Sequence, residues 1–217
     1  MRAVHEMELG AMFWATTTPA ETLRAIKETG VTCGQLGLDG GIELSDELAA
    51  GWKAALAAED FPIVTCFAAY NGEEYPDIPT VVDTVGFIPA RFRAERMART
   101  RAVSDFAAKL GVGAIGLHIG CVPDSDTHPD YLAVLGMVRE IADHAAGHGQ
   151  IFALETGQEP AKELRHFLAD VKRPNVRINF DPANMILYGS GDPIEALGVL
   201  GDLVVSVHAK DGLWPAG

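Results

Sequence analysis

Three residues with metal-binding side chains close three short, β-rich runs. Glu155 ends Ile151-Phe152-Ala153-Leu154-Glu155, Asp181 ends Ile178-Asn179-Phe180-Asp181, and His208 ends Val205-Ser206-Val207-His208. Consecutive members are spaced by about 26 residues, the length of one strand plus one helix. That spacing sets them side by side on adjacent strands, at one rim. Two carboxylates and an imidazole suit a divalent cation such as Mn2+, Mg2+, Co2+ or Zn2+. A catalytic ion also needs open positions for substrate or water. Side chains alternate along a strand, so Ala153 and Ser206 share the direction of Glu155 and His208 and leave room above them. Asn179 lies beneath Asp181, placed to hold a ligand through its amide. Any one of the three, taken singly, reads as a strand or helix cap. Three in register favour a metal site.

Further candidates sit at the same rim. His118 ends Gly116-Leu117-His118 and suits substrate hydroxyls or proton transfer, with a satisfied core histidine as the alternative. Asn184 and Lys210 follow just beyond the ligands. Lys210 suits an oxyanion or a surface ion pair. Trp14, near the first strand's end, suits a sugar face, with core packing the simpler role. Arg91, Arg93, Arg96, Arg99 and Arg101 are spread around a helix and read as a solvated face rather than a phosphate site. His128, His144, His148 and His166 read as surface residues.

The elements that must position these groups alternate from end to end. Strands are expected at residues 9–15, 31–38, 62–69, 114–120, 151–155, 176–181 and 203–208. Helices are expected between them. One starts at Thr18-Pro19-Ala20-Glu21, a hydroxyl cap with Pro in the first turn and Glu three residues on. Another starts at Ser45, and others cover 90–110, 129–147, 160–170 and 192–200. Residues 70–89 read as a long loop. Strand–helix alternation predicts a parallel sheet with helices outside. Seven units fit a (β/α)8 TIM barrel lacking its eighth β/α unit. No G-x-G-x-x-G follows the first strand, which removes the usual sign of a dinucleotide fold. The expectation is a single domain over 1–217, truncated at its C-terminal side. An open seam in the barrel would favour a homo-oligomer.

The stretches Ala153-Leu154-Glu155-Thr156-Gly157-Gln158, Asn179-Phe180-Asp181-Pro182-Ala183-Asn184 and Val207-His208-Ala209-Lys210-Asp211-Gly212 resemble the sugar phosphate isomerase/epimerase superfamily, the xylose isomerase-like barrels. The resemblance implies a divalent metal held by Glu, Asp, His and a final Glu. Glu155, Asp181 and His208 match the first three, and the final Glu would belong to an eighth strand. It also implies that Glu155 is a catalytic base and that Asn184 binds substrate. The reaction implied is isomerisation or epimerisation of a sugar or sugar phosphate through an enediolate. The same superfamily contains dehydratases of inosose-type keto-cyclitols, and a truncated barrel without activity is a further alternative.

Composition sets the outer limits. The 217 residues carry a net charge of −13, which argues against binding a nucleic-acid backbone and so against an abasic-site endonuclease of the same superfamily. Cys33, Cys66 and Cys121 form no Cys-x-x-Cys pair and read as free, buried thiols. No apolar run is long enough to span a bilayer, and no signal peptide is evident, so the cytoplasm is the expected location.

Overall fold

The computed structural model describes residues 7–213. Seven strands are joined by helices, with one helix in four of the connections and two in the other two. In chain order they are β1 (Gly10–Trp14), α1 (Pro19–Lys27), β2 (Cys33–Leu38), α2 (Asp46–Glu59), β3 (Ile63–Ala68), α3 (Ile78–Thr84), α4 (Arg93–Leu110), β4 (Ala114–Leu117), α5 (Pro129–Gly147), β5 (Ile151–Glu155), α6 (Ala161–Val171), β6 (Val176–Phe180), α7 (Pro182–Tyr188), α8 (Pro193–Leu200) and β7 (Val204–Val207). The strands form one sheet in sequence order, and every neighbouring pair is parallel. The sheet curls into an incomplete (β/α) TIM barrel, with no eighth strand among the described residues.

Local chemistry explains the boundaries. Ser45 Oγ accepts the Leu48 amide at the start of α2, and Asp77 and Asp192 cap α3 and α8 in the same way. Proline stands in the first turn of α1, α3, α5, α7 and α8, where its missing N–H costs nothing. The Thr18 capping box does not form. Thr18 makes no side-chain cap; instead Thr16 Oγ1 accepts the Thr18 amide and pairs with Thr22 Oγ1 at 2.6 Å. The 70–89 segment is not one loop, because Asp77 and Pro79 start α3 inside it.

The two faces of the sheet differ in kind. Phe13 points outward, with its ring 6.2 Å from those of Trp52 on α2 and Phe61. It joins the main core between sheet and helices. A smaller cluster of Leu164, Ile178, Phe180, Met185, Ala196 and Leu200 fills the space under α6, α7 and α8. The arginine run does not form a solvated face. Arg96 is buried, with its guanidinium 5.2 Å from the Tyr70 ring and 4.6 Å from that of Phe92. Arg93 and Arg99 donate to loop carbonyls at Phe87, Ile88, Asp39 and Ile42. These arginines tie α4 to the rim loops, because a guanidinium has enough donors to satisfy several orphan carbonyls together. Cys33 and Cys66 are buried and Cys121 partly so, and all three are free thiols. No helix among the described residues is long and apolar enough to cross a membrane.

Candidate metal centre

Glu155 is the last residue of β5, Asp181 immediately follows β6, and His208 immediately follows β7. One ligand atom from each lies within 4.8 Å of the other two. Glu155 and Asp181 are buried and His208 is half-buried.

Each is fixed by its own support. The His208 backbone amide donates to Phe180 O at 2.9 Å, tying the residue to β6. Its Nε2 lies 2.7 Å from Gln35 Oε1. An amide oxygen only accepts, so Nε2 carries the proton there. Nδ1 then faces the carboxylates, 3.2 Å from Glu155 Oε1 and 3.7 Å from Asp181 Oδ2. Metal-ligating histidines are commonly held this way, through the ring nitrogen that does not face the ion. Asn179 lies under the ring, its Oδ1 accepting Ser206 Oγ at 2.6 Å.

Asp181 does two jobs. Its Oδ1 accepts the Asn184 amide at 2.9 Å, which makes it the N-cap of α7. Its Oδ2 faces inward, 3.2 Å from Lys210 Nζ. The Asp181 backbone is clamped by Thr156, whose Oγ1 accepts its amide at 2.8 Å and donates to its carbonyl at 3.2 Å. Asn184 bridges the ligands to the rim. Its Nδ2 donates to Glu155 Oε1 at 3.0 Å, and its Oδ1 accepts Lys210 Nζ at 2.6 Å. Gly157 permits this packing, since a Cβ there would stand 2.7 Å from Asn184 Cβ.

The electrostatics follow from this crowding. Burial alone would raise the Asp181 pKa, but the His208 ring, the Asn184 amide and Lys210 outweigh it and hold the carboxyl at about 2. Burial alone would lower the His208 pKa, but Asp181 and Glu155 outweigh it and push the ring up to about 9. Two carboxylates therefore face an imidazolium and an ammonium. A divalent cation would take the place of the ring proton on Nδ1. The donor set and its convergence fit such an ion.

The remaining expected residues have distinct positions. His118 Nε2 is 3.5 Å from Glu155 Oε2. Its ring lies between Phe67 and Tyr75, at 5.9 and 6.3 Å. Its Nδ1 is buried without a partner among the described residues. Trp14 is not a core residue. It is 48% exposed and shares the lumen face with Met12, which stands in register with Gln35. Its indole lies across Gly37, where a Cβ would come within 2.6 Å of the ring. Trp14 joins none of the hydrogen bonds described above.

Sequence reasoning overlooked Gln35, Thr156, Phe67 and Tyr75. Gln35 had one signal, being the lone polar side chain in the otherwise apolar strand Cys33-Gly34-Gln35-Leu36-Gly37-Leu38. The helix α7 was also overlooked, although Asp181-Pro182 carries the same start signal as Asp192-Pro193. The four histidines read as plain surface residues have acidic partners as well. His128 Nδ1 accepts the Asp130 amide at the start of α5, and His144 pairs with Asp105 at 2.7 Å.

With this sheet and this rim, the chain belongs to the xylose isomerase-like TIM barrel family, whose description matches residues 23–217. A solved xylose isomerase domain protein from Planctomyces limnophilus is 41% identical, with a TM-score of 0.91 over 96% of this chain and 74% of that one. The fold is shared with 3-keto-D-glucoside 4-epimerase from E. coli, at 19% identity and a TM-score of 0.70 over 94% of this chain and 78% of that one. It is also shared with a xylose isomerase-like TIM barrel protein from Mycobacterium smegmatis in complex with magnesium. That protein is 16% identical, with a TM-score of 0.71 over 97% of this chain and 76% of that one. A comparison with curated proteins finds no match.

Proposed function

We propose that this protein is a divalent-metal-dependent isomerase or epimerase of a small sugar or sugar phosphate, working through an enediolate. The observation that carries the reading is the convergence of Glu155, Asp181 and the Nδ1 side of His208, with Nε2 held by Gln35. These three residues would hold the ion. When bound, it would polarise the substrate carbonyl and a neighbouring hydroxyl, lowering the cost of negative charge there. Mn2+, Mg2+, Co2+ and Zn2+ all suit the donor set. That the fold's neighbours include a 3-keto-D-glucoside 4-epimerase and a protein in complex with magnesium supports the reading.

The protein's own groups account for the rest. Glu155 takes the proton next to the carbonyl, since it is the carboxylate whose second oxygen faces His118 rather than a helix cap. His118, with Nε2 3.5 Å from Glu155 Oε2, is placed to bind a substrate hydroxyl or pass on the proton. Lys210, held beside Asp181 and Asn184, supplies positive charge to the developing oxyanion. Asn184 fixes Glu155 through its Nδ2 and stands at the rim as a substrate-binding side chain. Trp14 presents an exposed ring on the lumen face against which a sugar can lie. Returning the proton from Glu155 to the adjacent carbon would give an isomer, whereas an epimer would require a second acid to protonate the opposite face.

The test is elemental analysis of wild type and Asp181→Ala, followed by ketose and keto-cyclitol substrates with added Mn2+. The reading expects about one bound ion, lost in the variant, and a product of unchanged mass. Release of water from the substrate would replace isomerisation with dehydration. Absence of metal from wild type after loading would overturn the centre itself.

A further inference from the structure

A second group of ligating side chains lies on the outer surface, on the helix pair α4–α5. His144 and His148 are four residues apart on α5 and its C-terminal cap, and so face the same way. Both aim Nε2 at one atom, Asp105 Oδ1 on α4, at 2.7 and 2.9 Å. Their rings are 5.3 Å apart and inclined at 74°, so they approach that point from different directions instead of stacking. The three ligand atoms lie within 4.8 Å of one another. We propose that Asp105, His144 and His148 form a metal site that staples α4 to α5, distinct from the centre in the barrel lumen.

The surroundings favour a cation there. Basic side chains of these two helices are engaged elsewhere: Arg101 with Glu140, Lys109 with Asp46, and Arg139 with the carbonyls of Asp170 and Val171. Asp105 has only the two imidazoles. The backbone on both sides is rigid, because Val103, Phe106 and Ala107 of α4 and Ile141, Ala142 and Ala145 of α5 are buried. Ser104 Oγ and Gln150 Oε1 add a buried hydrogen bond of 2.6 Å across the same seam. The three ligand side chains remain partly exposed, which leaves water access to complete the coordination.

The ligand set chooses the ion. Two imidazoles and one carboxylate suit Zn2+, Co2+, Ni2+ or Cu2+, whereas Mg2+ and Ca2+ prefer oxygen throughout. Bonds of about 2.1 Å set tetrahedral donors about 3.4 Å apart. Each imidazole then has to withdraw by roughly half an ångström, within the reach of side-chain rotation alone.

Zinc titration against a chromogenic chelator tests this, in wild type and in the Asp181→Ala background, each with and without His144→Gln/His148→Gln. Glutamine keeps a donor for Asp105 and suits a helix. The expected result is the loss of one equivalent of Zn2+ in both backgrounds. It is accompanied by loss of a zinc-dependent Tm rise of about 5–10 °C at a hundredfold excess over Kd. His148→Gln alone, a mild change at an exposed helix cap, gives the same loss of tight binding if the pair proves poorly folded. Zinc stoichiometry unchanged by the histidine substitutions in both backgrounds overturns the site.

Discussion

His208 Nε2 stands 2.7 Å from Gln35 Oε1, so the seventh strand touches the second across the lumen. The contact orients the imidazole and leaves Nδ1 toward Glu155 and Asp181. Gln35→Ala is expected to weaken metal binding by about 10–100-fold while far-ultraviolet circular dichroism stays unchanged. Competition with a chelating dye measures it. Equal affinity in the variant and wild type would show that the amide is a passive core residue.

Asp181 caps α7 and is a proposed metal ligand, and two substitutions separate the roles. Asp181→Asn keeps an acceptor for the Asn184 amide, and Asp181→Ala does not. Both are expected to lose the ion. Only the alanine variant should lose a further ~1 kcal/mol in urea unfolding, measured on metal-free protein.

At the proposed centre, proton and metal would compete for His208. In metal-free protein the ring is protonated up to pH about 9, so metal affinity is expected to rise by about tenfold per pH unit below that value and then level off. Stability of the metal-free form runs the other way. The folded-state pKa lies above the ordinary 6.5, so the contribution is complete below pH 6.5 and is lost as pH rises through 9. The slope is at most about 1.4 kcal/mol per pH unit. Calorimetry of the metal-free protein across that window should show falling Tm, and a flat profile would exclude the ion pairs.

Glu159 offers a pH test away from the lumen. Burial pushes its carboxyl up to about 7, although Oε1 accepts the Val122 amide at 2.8 Å. The protonated form suits the fold, so stability is expected to fall as pH rises from 4.5 through 7. Glu159→Gln should remove that part of the pH dependence, read from urea midpoints at several pH values.

Trp14 lies half exposed on the lumen face over Gly37, outside the network of ligands. Trp14→Ala is expected to raise KM with little change in metal content, and to change stability by less than about 0.5 kcal/mol. An unchanged KM would detach the indole from substrate binding.

The convergence of the three candidate ligands was legible because its grammar is local. A strand end, a helix and the next strand end recur at one spacing, so Glu155, Asp181 and His208 could be placed on one rim. Gln35 was not legible, because its partner lies far along the chain and only the curl of the sheet brings them together. Arg96 was misread for a related reason. Helical spacing cannot reveal that Tyr70 and Phe92, from a loop and a turn, close over a guanidinium. His144 and His148 share a helix face that is visible in the sequence, but Asp105 enters from another helix. Helix α7 was missed where the strand signal of Asp181 masked its role as a cap.

Among the described residues β7 is an edge strand, hydrogen-bonded to β6 on one side only, with Val205 and Val207 left exposed. His208, the third proposed ligand, therefore follows a strand with one paired neighbour among the described residues. An ion shared by Glu155, Asp181 and His208 would act as a rivet through three strands, giving β7 the second attachment that no neighbouring strand among the described residues provides. Loading the centre should then slow amide exchange along β7 more than along β5 or β6. In this architecture the ion would complete the wall as well as the chemistry.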